Sequence, residues 1–303
     1  MKLFLGCFLL LSACAQAQDS AGLKKTEVIY GRKDGMALTM VVQMPAQPNG
    51  KAIINVVSGN WRSVYDMISR YEYRDQLYLK NGYTVFEVLP SSQPKYTIPE
   101  EVEDVRRAVR FIRYHAKEYG IDANKIGITG ASSGGHLALM VATSDDNIDA
   151  NAKDIVDRES SRVQAAAVLY PPTDFLNYGQ KGFNASASQA ILVATGLAAA
   201  FDFKRWNDTT RTYVSITDIE SKLKIAKQNS PIYAVTADDP PVIIIHGDAD
   251  MIVPLQQSQT IIQKFEEAKV PHKFIIKKGA GHGWRNTDAE EGDFLDWFNT
   301  YLK

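Results

Sequence analysis

The chain has 303 residues, 45% hydrophobic and 23% charged, with 34 lysines and arginines against 35 aspartates and glutamates and a formal net charge of −1. That balance belongs to a globular protein with material for one large core, not to a disordered chain. Because the two signs nearly cancel and no dense basic run occurs, nucleic acid and anionic surfaces are poor partners for it.

Residues 1–17 stand apart. Met1-Lys2 leads into an apolar run at 3–11 and then Ser12-Ala13-Cys14-Ala15-Gln16-Ala17, the pattern of a secretory signal peptide. Crossing a bilayer takes about 20 apolar residues, and this run is shorter. Two cleavage sites compete. Leu11-Ser12-Ala13-Cys14 has the form of the bacterial lipoprotein box, in which Cys14 carries the lipid anchor, whereas Ala15-Gln16-Ala17 offers an ordinary signal peptidase its small-x-small site. Export is therefore expected, as a cell-envelope lipoprotein or as a soluble periplasmic or secreted protein, with a membrane met only through that lipid. Cys7 and Cys14 are the only cysteines, so residues 18–303, expected to form one catalytic domain, hold no disulfide and depend on their core.

From Val28 onward short β-rich runs alternate with helical patterns, the mark of an α/β sheet covered by helices. Runs at 27–30 and 36–44 flank the turn-prone Lys33-Asp34-Gly35 and predict an antiparallel hairpin. Further runs at 52–57, 84–88, 125–129, 163–169, 242–246 and 273–276 are rich in Val, Ile or Ala, as strands buried on both faces are. Residues 101–119 place Val102, Val105, Val109, Ile112 and Ala116 on one face and Arg106, Arg107, Arg110 and Arg113 elsewhere, which predicts an amphipathic helix. Similar patterns cover 255–268 and 291–302, and Gly82 and Gly120 stand where helices should stop. The alternation breaks at 174–229. There an apolar stretch at 191–201 precedes Phe203, Trp206 and Tyr213 among polar residues, and the segment reads as a helical, lid-like insertion after the sixth strand, packed on the body or roofing a pocket.

The chemistry is announced by Gly130-Ala131-Ser132-Ser133-Gly134-Gly135-His136, lying between a β run and a helical run. Glycines two positions either side of Ser132 permit the sharp strand-to-helix turn that exposes a nucleophilic hydroxyl. Ser133 is the weaker nucleophile candidate, because its own flanks are Ala131 and Gly135. Its backbone N–H, at the start of the helix, is instead suited to stabilise an oxyanion.

Taken with the stretch from Glu101-Val102-Glu103-Asp104 to Gly130, and with Ser230-Pro231 through Pro240-Pro241 into His246-Gly247-Asp248-Ala249-Asp250, most of the mature chain resembles the esterase/lipase branch of the α/β-hydrolase superfamily. Bacterial carbohydrate-ester and feruloyl-esterase-like members are the nearest in pattern. The resemblance implies a mostly parallel central sheet with helices on both faces, and a triad in the order serine, acid, histidine. Asp250 falls where the family acid falls, to receive the histidine Nδ1–H, and Asp248 is left as a turn-former. His282, in Gly279-Ala280-Gly281-His282-Gly283-Trp284 after the last strand, takes the histidine's place. His115, His136, His246 and His272 are assigned to packing or capping. Relatives commonly carry His-Gly-Gly-Gly-Trp in the loop after the third strand; here it reads Val57-Ser58-Gly59-Asn60-Trp61, and alignment on Trp61 puts Gly59 and Asn60 at the donor positions. Trp61, and Tyr170 in Tyr170-Pro171-Pro172-Thr173-Asp174, are candidates to touch substrate.

The implied function is a serine carboxylic-ester hydrolase that works through an acyl-enzyme on small or carbohydrate-linked esters. A serine exopeptidase of the prolyl-oligopeptidase type shares the triad order, although no propeller domain precedes the strands. A non-catalytic envelope lipoprotein that binds in the same pocket is the third reading. No paired-histidine helix, cysteine cluster or phosphate loop occurs, so neither metal nor cofactor is expected.

Overall fold

The structure, a computed structural model, describes residues 22–146, 148–284 and 288–303. The leader expected at 1–17, with Cys7 and Cys14, lies outside the described residues. In chain order the strands are β1 (Lys24–Lys33), β2 (Met36–Met44), β3 (Ala52–Val56), β4 (Thr84–Leu89), β5 (Ile126–Ala131), β6 (Ala165–Leu169), β7 (Lys204–Asn207), β8 (Thr212–Ser215), β9 (Val242–Gly247) and β10 (His272–Lys277). The helices are α1 (Glu72–Lys80), α2 (Ile98–Tyr114), α3 (Ser133–Thr143), α4 (Gln189–Ala194), α5 (Ile219–Gln228), α6 (Gln256–Ala268) and α7 (Asp288–Tyr301).

Eight strands form one sheet in the order β1-β2-β4-β3-β5-β6-β9-β10. β1 pairs antiparallel with β2, and β2 with β4. From β4 to β10 every pairing is parallel, giving the α/β-hydrolase fold. Alternation along the strands divides the core in two. Ile54, Phe86, Ala166, Val168 and Ile244 face α2, α3 and α6, while Ile53, Val85, Ala167, Ile243 and Ile245 face α1 and α7. Each fully buried Val, Ile or Phe contributes roughly 1.5–3 kcal/mol against exposure, so the residues that carry the period-two pattern also carry the fold.

Two elements depart from expectation. Helix α2 starts at Ile98, not at 101, because Thr97 and Glu100 form a reciprocal cap, with Pro99 in the first turn. It ends at Tyr114, beyond which hydrogen-bonded turns lead to Gly120 at φ 64°. Arg106 and Arg110, expected off the buried face, are themselves buried. Segment 174–229 is not wholly helical. Between α4 and α5 it carries the antiparallel hairpin β7–β8, in which Trp206 lies opposite Tyr213 with their rings edge to face. The Asn207 carboxamide accepts from the N–H groups of Thr209 and Thr210, and this Asx turn reverses a chain whose polar composition hid the strands.

Candidate active site

Ser132 stands between β5 and α3 with φ 55° and ψ −123°, a strained conformation that costs about 1–3 kcal/mol and survives where the surroundings enforce it. Two glycines make the turn sterically feasible. A Cβ on Gly130 would lie 2.5 Å from the Gly134 carbonyl, and one on Gly134 would lie 2.4 Å from the Val56 carbonyl. The elbow therefore packs against its own helix and against β3 with no space for a side chain, and the serine hydroxyl is pushed out at the C-terminal edge of the sheet, where ligands of such folds collect.

Three side chains from distant parts of the chain meet there. The Ser132 hydroxyl lies 2.9 Å from His282 Nε2, and His282 Nδ1 lies 2.8 Å from Asp250 Oδ2. Asp250 Oδ1 accepts from the backbone N–H groups of Ile252 and Val253, each at 2.9 Å. Burial alone would raise the Asp250 pKa, but hydrogen bonds from His246, His282 and these two amides outweigh it and hold the carboxyl well below its ordinary value. It stays ionised, and Nδ1 of His282 keeps its proton toward it, leaving Nε2 as the acceptor for the serine proton.

His246, assigned to packing on its position at a strand end, has a larger part. Wholly buried, it sets Nδ1 2.7 Å from the Ser258 hydroxyl and Nε2 2.9 Å from the Val253 carbonyl and 3.3 Å from Asp250 Oδ2. The imidazole thus braces both the acid and its loop. A histidine four residues before the acid, at the end of a parallel strand, was the available signal. Asp248 lies in the turn after β9, as expected, but its carboxylate reaches beyond that turn: it accepts from Gly279 N–H and ties the acid loop to the histidine loop.

The loop after β3 corrects one donor assignment. Gly59 N–H donates to the Arg62 carbonyl at 2.9 Å, and Arg62 N–H returns the bond at 3.0 Å, so the Gly59 amide is occupied by its own turn. Asn60, at φ 54°, lines the cavity beside Ser132 and Ser133, and among the described residues its N–H has no protein partner. The backbone N–H groups left beside Ser132 are therefore those of Ser133 and Asn60. Ser58, which replaces a family glycine, places its hydroxyl 3.0 Å from that of Ser133 and joins the loop to the elbow.

A cavity of about 520 Å³ opens over these groups. Trp61 is buried in its wall, edge to face with Phe175 and Phe201, and its Nε1 donates to His136 Nδ1 at 3.2 Å. Tyr170 is not in that wall, contrary to expectation. At φ 37° its ring turns behind the active site and packs edge to face on His282, 4.7 Å between centroids, so it buttresses the imidazole; burial pushes its hydroxyl up to about 12. Of the remaining wall, the loop behind the acid was not foreseen. Insertion residues Tyr178, Phe183, Ile191, Leu192 and Leu197 form one side, and Met251, Ile252, Val253 and Pro254, directly behind the acid, form the other. Four apolar residues following the acid in a loop were a visible sign, since nothing in the sheet needs them.

Sheet order, strained elbow and hydrogen-bonded triad together define an α/β-hydrolase of the esterase branch. The family model described as BD-FAE matches residues 40–265, and the chain belongs to that family. It is 23% identical over 279 residues to Esterase LipC of Mycobacterium tuberculosis, across 91% of this chain and 64% of that protein. It is 35% identical over 145 residues to an acetylxylan esterase of Xylanibacter ruminicola, across 47% of this chain and 28% of that protein. The chain thus spans less than two thirds of the length of these curated relatives. Among solved structures, a truncated carbohydrate esterase from gut microbiota superposes with a TM-score of 0.71 at 25% identity, covering 91% of this chain and 96% of its own. The Thermogutta terrifontis esterase Est2 superposes at 0.68 and 22% identity, covering 92% and 93%.

Proposed function

We propose that this chain is a serine carboxylic-ester hydrolase acting through an acyl-enzyme on small or carbohydrate-linked esters. The observation that carries the reading is the continuous hydrogen-bond path from Asp250 through His282 to Ser132, ending at an apolar cavity with Ser133 and Asn60 N–H groups beside it. His282 Nε2 takes the Ser132 proton as Oγ attacks the ester carbonyl, and the two amides hold the oxygen that becomes negative. As the tetrahedral intermediate collapses, His282 returns that proton to the departing alcohol. Water then repeats the sequence against the acyl-serine and releases the acid. The carbohydrate-linked arm is supported by relatives named for acetylxylan and carbohydrate esters.

The test is a panel of p-nitrophenyl esters of increasing acyl length, run beside acetylated and feruloylated xylan, with a fluorophosphonate probe as reporter of an activated serine. Turnover and labelling in the wild type, with both absent from folded Ser132→Ala, are expected. A wild type that neither turns over nor takes the probe would make the fold a binding scaffold. Export on a lipid at Cys14 is proposed from the leader alone. In a Gram-negative host the protein should then partition with membranes and Cys14→Ala should release it, whereas a soluble product beginning at Gln18 would refute the anchor.

A further inference from the structure

Asn60 and Trp61 stand consecutively at positive φ, 54° and 52°, a conformation that residues bearing side chains keep only when the flanking peptides are held. The peptide joining Gly59 to Asn60 is held through its carbonyl, which accepts from Arg62 N–H. Being planar and trans, that peptide turns Asn60 N–H the opposite way. The next peptide is held by Gln93. Its Nε2 donates to the Asn60 carbonyl at 2.8 Å, and its backbone N–H donates to the Trp61 carbonyl at 3.1 Å. The dihedrals of Asn60 therefore lie between a peptide held by Arg62 and one held by Gln93, and a shift at Gln93 is passed through them to the peptide that carries the Asn60 N–H.

The same side-chain nitrogen has a second proton, and it reaches the Gly196 carbonyl at 3.1 Å. Gly196 belongs to the turn after α4, at φ 70°, and its neighbours Leu192, Thr195 and Leu197 line the cavity. One buried carboxamide thus spans 33 residues of chain to the oxyanion loop and 103 to the cavity roof. Because both its protons are engaged, displacement of either carbonyl strains the bond to the other.

We propose that Gln93 is a positioning residue that couples the seating of the roof to the aim of the Asn60 N–H. An acyl group long enough to pack against Leu192 and Leu197 draws the turn at Gly196 home, and through Gln93 it sets the Asn60 peptide for the oxyanion. Acetyl, too short to reach the roof, gains none of this. The inference rests on the reading of Ser132 as nucleophile and Asn60 as donor.

Gln93→Met keeps the volume and removes both bonds. Gln93→Glu keeps the shape and replaces both donors by acceptors, and it serves should the methionine variant fail to fold. Kinetics on p-nitrophenyl acetate and octanoate separate the outcomes. With folding checked by thermal denaturation, kcat on the octanoate should fall about 10²-fold, the scale of a lost oxyanion donor, with KM moving far less. On the acetate the fall should be several-fold smaller. Wild-type kcat on both esters would overturn the proposal, and an equal fall on both would overturn the coupling, leaving Gln93 as a structural prop. Ser132→Ala keeps the two readings apart: if it still turns over, the nucleophile is wrong, and if it is inactive while Gln93→Met is unimpaired, only the role of Gln93 is lost.

Discussion

At the C-terminal edge of the sheet, Ser132 leaves β5, Asp250 follows β9 and His282 follows β10, so their backbones are anchored by the sheet: β5 and β9 are buried strands, whereas β10, expected to be buried on both faces, is the edge strand and only half-buried. The wall opposite comes from 174–229, whose two short helices and hairpin touch the body at fewer points. Among these are the Ala200 carbonyl on Ile98 N–H and the Gly196 carbonyl on Gln93. In the first region the triad's polar atoms meet their partners at 2.8–2.9 Å. In the second, Phe183, Leu192 and Phe201 supply shape to the cavity while Val193, Trp206 and Tyr213 stand exposed. The difference is that bond-making needs fixed angles, which only a rigid sheet edge supplies, whereas holding an apolar group needs volume, which several packings can provide.

The sharpest way to break this contrast is Asp250→Asn. It keeps the shape but removes the charge that orients His282 and stabilises its imidazolium, so kcat should drop about 10⁴-fold while the fold persists by circular dichroism. A loss of tenfold or less would mean that His246 and the loop amides, not the carboxylate, hold the geometry.

His136 joins the two regions. Its Nδ1 accepts from Trp61 Nε1 in the cavity wall, and its Nε2 lies 2.8 Å from the Asn229 carbonyl at the end of the insertion, so the neutral ring with its proton on Nε2 satisfies both. Burial lowers its pKa to about 4. With the folded value below the unfolded one, the unfolded chain binds the proton first, and stability falls as pH drops from about 6.5 toward 4. At pH 5 the loss should be about 2 kcal/mol relative to neutral pH. Urea unfolding of wild type and His136→Gln at pH 7 and pH 5 measures it, and the same pH-dependent loss in the variant would assign the effect to other groups.

The smallest effect belongs to the roof. Leu192→Ala opens the cavity without touching the sheet edge, so the ratio of kcat/KM for octanoate over acetate should shift by about tenfold, the scale of pocket contacts with apolar groups. The acetate rate itself should hold within a few-fold. Equal losses on both esters would show that roof and triad are one mechanical unit, not two.

The order of strands and helices was legible because period-two and helical apolar patterns report burial, and burial is what sheet and core demand; Ile53 and Ile54 declare opposite faces by adjacency alone. Gly130, Ser132 and Gly134 were legible for a related reason, since only glycine fits where backbone meets backbone. Asp250 and His282 could be placed by chain order and resemblance, but not the 2.8 Å between them. The strands in 174–229, the occupied amide of Gly59, the turn of Tyr170 behind His282, and the bracing by His246 were decided only by tertiary structure. Some depend on a partner far along the chain, as Tyr170 does on His282, the loop of Asp248 on Lys277 and Gly279, and Gln93 on Gly196; Gly59 with Arg62 and His246 with Asp250 are near neighbours whose meeting is set by how their loops turn. Local sequence encodes which groups wish to be buried or to turn; which two of them meet is set by how the sheet brings loops together.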